Sequence, residues 1–139
     1  MTQHKVWPHY AEDEIQAATD VLLSGKVNYW TGQVSRQFEQ AYAEYVGVKH
    51  AIAVANGTVA LDLAWIALGV GQGDEVIVTS RTFLASVSSI VLAGATPVFA
   101  DIKGDDLTIC PQSISRLITQ KTRAIICVHI YGTPCDMDE

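Results

Sequence analysis

Two periodicities divide this chain. Through residues 11–24 apolar positions recur at helical spacing (Ile15, Ala18, Leu22), and Gly25 is placed to stop the helix. Glu12, Asp13 and Glu14 crowd its first turn, where carboxylates complement the helix dipole. A loop-like aromatic stretch follows at residues 26–32 (KVNYWTG), with Thr31-Gly32 as a turn. Val34, Phe38, Ala41, Tyr42 and Tyr45 then mark an amphipathic helix ending at Gly47, its aromatics assigned to a core or an interface.

After Gly47 the pattern changes. Short apolar runs that barely alternate (AIAVA, VIV, PVFA, AIICVHI) predict strands over 50–55, 75–79, 96–102 and 123–130, buried on both faces. Between them lie helical patterns at 59–68, 83–93 and 112–119, the last with Pro111 in its first turn. Strand and helix in alternation predict an α/β fold: a mostly parallel sheet of about four strands, flanked by helices. The final residues, GTPCDMDE, announce a helix that the sequence does not continue, as expected of a piece of something longer.

Composition narrows the function classes. The 139 residues suit one domain, 49% of them hydrophobic, with a net charge of −6. With no basic run or arginine cluster, neither nucleic acid nor an anionic membrane surface is an expected partner. No apolar run approaches the roughly 20 residues a spanning helix needs, and the first residues resemble no signal peptide; a cytoplasmic location is expected. Cys110, Cys127 and Cys135 form no CxxC pair and read as buried thiols. Cys127, His129 and Cys135 lack ordinary zinc spacing, so no metal is assigned.

The chemistry sits in the turns. Asn56-Gly57-Thr58, between the first predicted strand and its helix, leaves amide N–H groups aimed one way at the positive end of a helix dipole, a geometry that suits a phosphate. The Thr58 hydroxyl adds a donor; the plainer reading is that Asn56 or Thr58 caps the helix. A second strand-to-helix turn, Ser80-Arg81-Thr82-Phe83, places an aromatic where it can lie against a planar ring, unless Phe83 is core. Gly69, Gly71 and Gly73 follow a helix and precede a strand, which excludes the dinucleotide fingerprint.

Several ordered segments together resemble the DegT/StrS-type sugar aminotransferases, pyridoxal-phosphate enzymes of fold type I: YWTG, VSRQFEQAYAEYVGVKHAIAVANGTVALDLAWIALGVGQGDEVIV, SRTFLASVSSIVLAGATPVFADI and ITQKTRAIICVHIYGTPCDMDE. The resemblance implies that pyridoxal 5'-phosphate is the cofactor. It makes Gly57 and Thr58 the phosphate turn, Phe83 the aromatic stacked on the pyridine ring, and Thr31 and Gly32 a loop near the active site and dimer interface. Tyr131 falls in an HxYG segment without an assigned role; Arg81, Cys127 and Cys135 depart from the pattern.

The resemblance also implies what is not here. The Schiff-base lysine and the aspartate that pairs with the pyridine nitrogen fall beyond residue 139, so no catalytic residue is assigned, and Asp101 reads as a local hydrogen-bonding residue. The domain expectation is a single, incomplete cofactor-binding large domain, with an N-terminal arm and two helices over 1–47 and βαβ units over 48–139. The intact family moves an amino group from an amino-acid donor to a nucleotide-linked keto-sugar and forms homo-oligomers; the chain by itself is expected to be inactive. The alternatives are a non-catalytic fragment or interaction module, and a sugar dehydratase relative. In fold type I the first strand is separated from the next three by strands from later sequence. The 50–55 strand is therefore expected either to re-pair with the remaining strands or to be covered in an oligomer.

Overall fold

The computed structural model describes residues 7–139. The chain divides into two compact units, Met1–Ala53 and Val54–Glu139.

In the first unit, α1 (Glu12–Leu23) opens with the Glu14 carboxylate accepting the Ala11 N–H at 2.6 Å and buries no residue. The second helix, α2 (Val34–Val46), ends on Gly47 in the left-handed region, φ 77°, with the Gly47 and Val48 N–H groups both reaching back to the Ala43 carbonyl. Its aromatics do not form a core in this chain. Phe38 and Tyr42 stack at 5.7 Å between centroids, yet both remain more than half exposed, as does Tyr45.

The second unit runs α3 (Gly57–Leu68), β1 (Glu75–Thr79), α4 (Ala85–Leu92), β2 (Thr96–Ala100), α5 (Pro111–Leu117), β3 (Thr122–Ile125) and a 3-10 turn at Ile130–Gly132. The sheet is parallel in the order β2-β1-β3, with Ile77 opposite Val98 on one side and Ile125 on the other. Being central, β1 is buried on both faces, which is why its sequence shows no alternation. Val76 and Val78 join Trp65, Val70, Ile90 and Ala95 beneath α3 and α4. Ile77 points the other way, to Ala100, Ile109 and Cys135, with Ile114 and Leu117 of α5 packed on them.

Three strands form, not four. Residues 50–55 join no sheet; the Ala53 N–H instead donates to Glu39 Oε1 at 2.8 Å. A β-rich composition expresses fitness for a pleated, half-buried surface and does not supply a partner. Both sides of β1 are taken by β2 and β3, and residues 50–55 pair with neither outer edge of the sheet, so the expected re-pairing does not occur. The other two predicted strands are shorter than read. After β2 the chain folds back through an Ile102–Ile109 antiparallel bridge, closed by a 2.9 Å Lys103–Asp106 ion pair. β3 ends at Ile125, two residues short of the end of β1, although the Ile126 N–H still reaches the Ile77 carbonyl.

Candidate functional site

Asn56 is extended (φ −167°, ψ 173°) and its side-chain oxygen accepts the Val59 N–H at 3.0 Å. The capping reading of this turn is therefore correct, and it does not displace the anion reading. The cap satisfies Val59, while the Gly57 and Thr58 N–H groups and the Thr58 hydroxyl find no acceptor among the described residues. What remains at the start of a 12-residue helix is a set of donors only, at the positive pole of the dipole. A Cβ added to Gly57 would meet nothing within 4 Å. The fold thus leaves open space over the turn, and the donor set fits a phosphate.

The helix-to-strand connections fix which end of the sheet this turn occupies. The carboxyl ends of α3 and α4 meet at the amino ends of the strands: a Cβ on Gly94 would lie 3.5 Å from the Gln72 nitrogen, and the Thr96 N–H donates to the Asp74 carbonyl. Midway, the Trp65 indole N–H donates to Ser89 Oγ at 3.0 Å. Counting back at 1.5 Å per helical residue, Thr58 lies about 10 Å along α3 from that bond and Ala85, the first residue of α4, about 6 Å, with Phe83 two residues before it. Thr58 and Phe83 therefore both reach the carboxyl-end rim, where open parallel sheets collect ligands.

Phe83 is not a core residue. The residue is 75% exposed, while its carbonyl accepts the Ser86 N–H at 3.0 Å. The Thr82 and Ser86 hydroxyls, 2.8 Å apart, hold the same turn. Gly57, Thr58 and Phe83 share this rim; Thr31 and Gly32 belong to the first unit.

Two further residues reach the rim. Arg81 is the second residue past β1, and its guanidinium carbon lies 5.9 Å from the centre of the Tyr131 ring. Tyr131 occupies the left-handed region at φ 52°, uncommon for a residue with a side chain. Nearby, His129 Nδ1 accepts the Cys135 N–H at 2.9 Å and Cys135 Sγ donates to the Val128 carbonyl at 3.2 Å. That ring nitrogen is engaged in holding the turn. Burial, and secondarily Cys135, push the Cys127 thiol up. Among the described residues no group of three His, Cys, Asp or Glu could hold a metal ion.

The first-unit loop is organised by a residue the sequence did not single out. Asn28 Oδ1 accepts from the Trp30 N–H, the Thr31 N–H and the Thr31 hydroxyl, and the Asn28 carbonyl accepts the Gly32 N–H at 2.8 Å. Gly32 is required by space, since a Cβ there would sit 2.6 Å from the Lys26 carbonyl oxygen. Glu39 was also missed. One oxygen accepts the Tyr29 hydroxyl at 3.1 Å and the other the Ala53 N–H, tying loop, α2 and the 50–53 segment together. Only the Asx-turn preference of an asparagine before NYWTG's aromatics hinted at the first; nothing local signals the second.

A family profile, the DegT/DnrJ/EryC1/StrS aminotransferase family, matches residues 8–139. The sequence is 47% identical over 130 residues to GDP-perosamine synthase of Vibrio cholerae, covering 94% of this chain and 35% of that protein. The aminotransferase from Psychrobacter cryohalolentis superposes with a TM-score of 0.93 at 55% identity, over 96% of this chain and 34% of that one. Spr1654 of Streptococcus pneumoniae, assigned as a sugar aminotransferase and solved in PLP and PMP forms, superposes at 0.89 with 37% identity, over 94% of this chain and 33% of its own. The chain spans about a third of the length of the curated relatives it matches.

Proposed function

We propose, from the premise that this chain belongs to the DegT/DnrJ/EryC1/StrS aminotransferase family, that it supplies the N-terminal cofactor-binding part of a sugar aminotransferase using pyridoxal 5'-phosphate. The observation that carries this reading is the pairing, on one rim, of unsatisfied N–H groups at Gly57 and Thr58 with the exposed ring of Phe83.

When bound, pyridoxal phosphate supplies the electron-withdrawing ring through which amino-group transfer proceeds. The residues of this chain bind and orient it. Gly57 and Thr58 hold the phosphate through two N–H groups and a hydroxyl, which anchors the group without moving a proton. Phe83 offers a flat apolar face that fixes the tilt of the ring and keeps water from that side. Thr31 and Gly32, held by hydrogen bonds to Asn28, are assigned to the substrate and interface loop on the family resemblance alone. No catalytic residue is assigned within the chain. The whole enzyme acts on a nucleotide-linked keto-sugar with an amino-acid donor, as a homo-oligomer in the cytoplasm.

The test is a pyridoxal-phosphate titration of the purified chain, followed by the absorbance of the bound cofactor, for wild type, Thr58→Ala and Phe83→Ala. Losing a hydrogen bond to a charged group costs about 1.5–3 kcal/mol, so Thr58→Ala should weaken binding about tenfold or more. Saturable binding left unchanged by both substitutions would overturn the assignment.

A further inference from the structure

We infer that Arg81 and Tyr131 form an anion-reading arm on the same rim. It takes an oxyanion carried by the substrate, either a carboxylate of the amino donor or the diphosphate of a sugar nucleotide. The two residues stand 50 positions apart in sequence and meet only because β1 and the 3-10 turn after β3 end at the same side of the sheet. Arg81 is the second residue past β1, its N–H donating to Thr79 Oγ1 at 3.2 Å, and Phe83 lies two residues further on. Its guanidinium makes no ion pair among the described residues; Asp101, which follows the neighbouring strand β2, is not its partner.

The Tyr131 ring is not spent on burial, being 89% exposed. Yet its backbone is held at φ 52°, ψ 25°, by the Gly132 N–H to the His129 carbonyl, the Thr133 N–H to the Ile130 carbonyl, and the Cys135–His129 bond. Unfavoured backbone conformations that the surroundings over-determine cluster at ligand clamps. Here the consequence of the conformation is a ring set against a guanidinium. The contact is cation–π in kind, 5.9 Å from guanidinium carbon to ring centre, and uses no N–H donor. Among the described residues the guanidinium fork has no acidic partner, and its shape matches a carboxylate or phosphate with two parallel bonds. In a chain of net charge −6, an arginine just past the end of β1 with no ion pair among the described residues is a local positive spot.

This inference rests on the proposed function only in calling the ligand a substrate; anion binding itself is measured separately. Calorimetric titration of the purified chain would use glutamate and GDP as probes, with pyridoxal phosphate as control, on wild type, Arg81→Gln, Arg81→Lys and Tyr131→Leu. Arg81→Gln should weaken one probe about tenfold or more, with partial recovery in Arg81→Lys and a smaller loss in Tyr131→Leu. Pyridoxal-phosphate affinity should stay within about twofold. Loss for GDP alone identifies the diphosphate as the anion, and loss for glutamate alone the carboxylate. Equal affinity of wild type and Arg81→Gln, no binding of either probe, or loss of the cofactor control in Arg81→Gln would overturn the inference. A wild type that takes no pyridoxal phosphate but shows the Arg81 dependence would sink the proposed function and leave this one standing.

Discussion

The Trp65 indole N–H donates to the Ser89 hydroxyl at 3.0 Å, and both side chains are buried, so α3 and α4 are joined by a polar bond inside an otherwise apolar layer. That bond sets the relative height of the two helices and hence of Thr58 and Phe83 at their amino ends. Ser89→Ala strands a buried donor and should cost about 1–3 kcal/mol in urea unfolding. Trp65→Phe removes the donor with the ring's outer part. A Trp65→Phe/Ser89→Ala double variant should therefore be more stable than the sum of the singles by about 1 kcal/mol. Strict additivity would mean the bond does not couple the helices.

Two glycines make opposite predictions. An alanine at position 32 would push its Cβ within 2.6 Å of the Lys26 carbonyl oxygen and 3.0 Å of that of Asn28, both backbone. Gly32→Ala should destabilise by about 1–3 kcal/mol, read as a lowered unfolding midpoint and faster amide exchange at Trp30 and Thr31. Gly57→Ala meets nothing within 4 Å and should leave the midpoint unchanged or slightly raised. Its methyl projects into the space assigned to the phosphate, so the same variant should bind pyridoxal phosphate more weakly.

Acid should loosen the 102–109 turn in a defined window. Bonds from the Thr108 N–H, then from Lys103 and the Thr108 hydroxyl, hold the Asp106 carboxyl at about 2, below its ordinary 3.8. A depressed folded value means the stabilisation is complete above 3.8 and lost as pH falls through about 2. The protection of the Lys103 and Thr108 amides, taken relative to the intrinsic exchange rate at each pH, should fall across that interval in wild type. In Asp106→Asn that step should be absent.

Thiol chemistry should distinguish Cys127. Because burial and Cys135 push its thiol up, the pH profile of its alkylation should be displaced above that of an ordinary cysteine. Iodoacetamide labelling followed by peptide mapping reads this directly. A profile at or below the ordinary position would contradict the buried setting.

The parts of the fold readable from sequence are those whose signal is local. β1 occupies residues 75–79 as its β-branched run and flanking turns indicate, and α3 through α5 follow their apolar spacing to within two or three residues. Residues 50–55 carry an equally strong composition and form no strand, because a ladder depends on a partner that no local pattern can reveal. The capped turn into α3 was legible from Asn-Gly-Thr between apolar runs. Glu39 was not, because its significance lies in two bonds spanning 10 and 14 residues. Phe83 illustrates the remaining ambiguity: its spacing fitted a core position, and only its exposure decided otherwise.

The two outer borders of the sheet are not equivalent. The Thr96 N–H points toward β1, so the next nitrogen along β2, that of Pro97, faces outward and carries no hydrogen. Proline on that side interrupts the addition of a foreign strand. β3 has no proline; its one charged residue is the exposed Arg123, and it leads into the apolar run Ala124-Ile125-Ile126-Cys127-Val128. Ladder growth between copies, whether into a functional assembly or into an aggregate, is thereby steered to one border, and a charged or proline substitution at Ile125 is where a solubility-improved variant should begin.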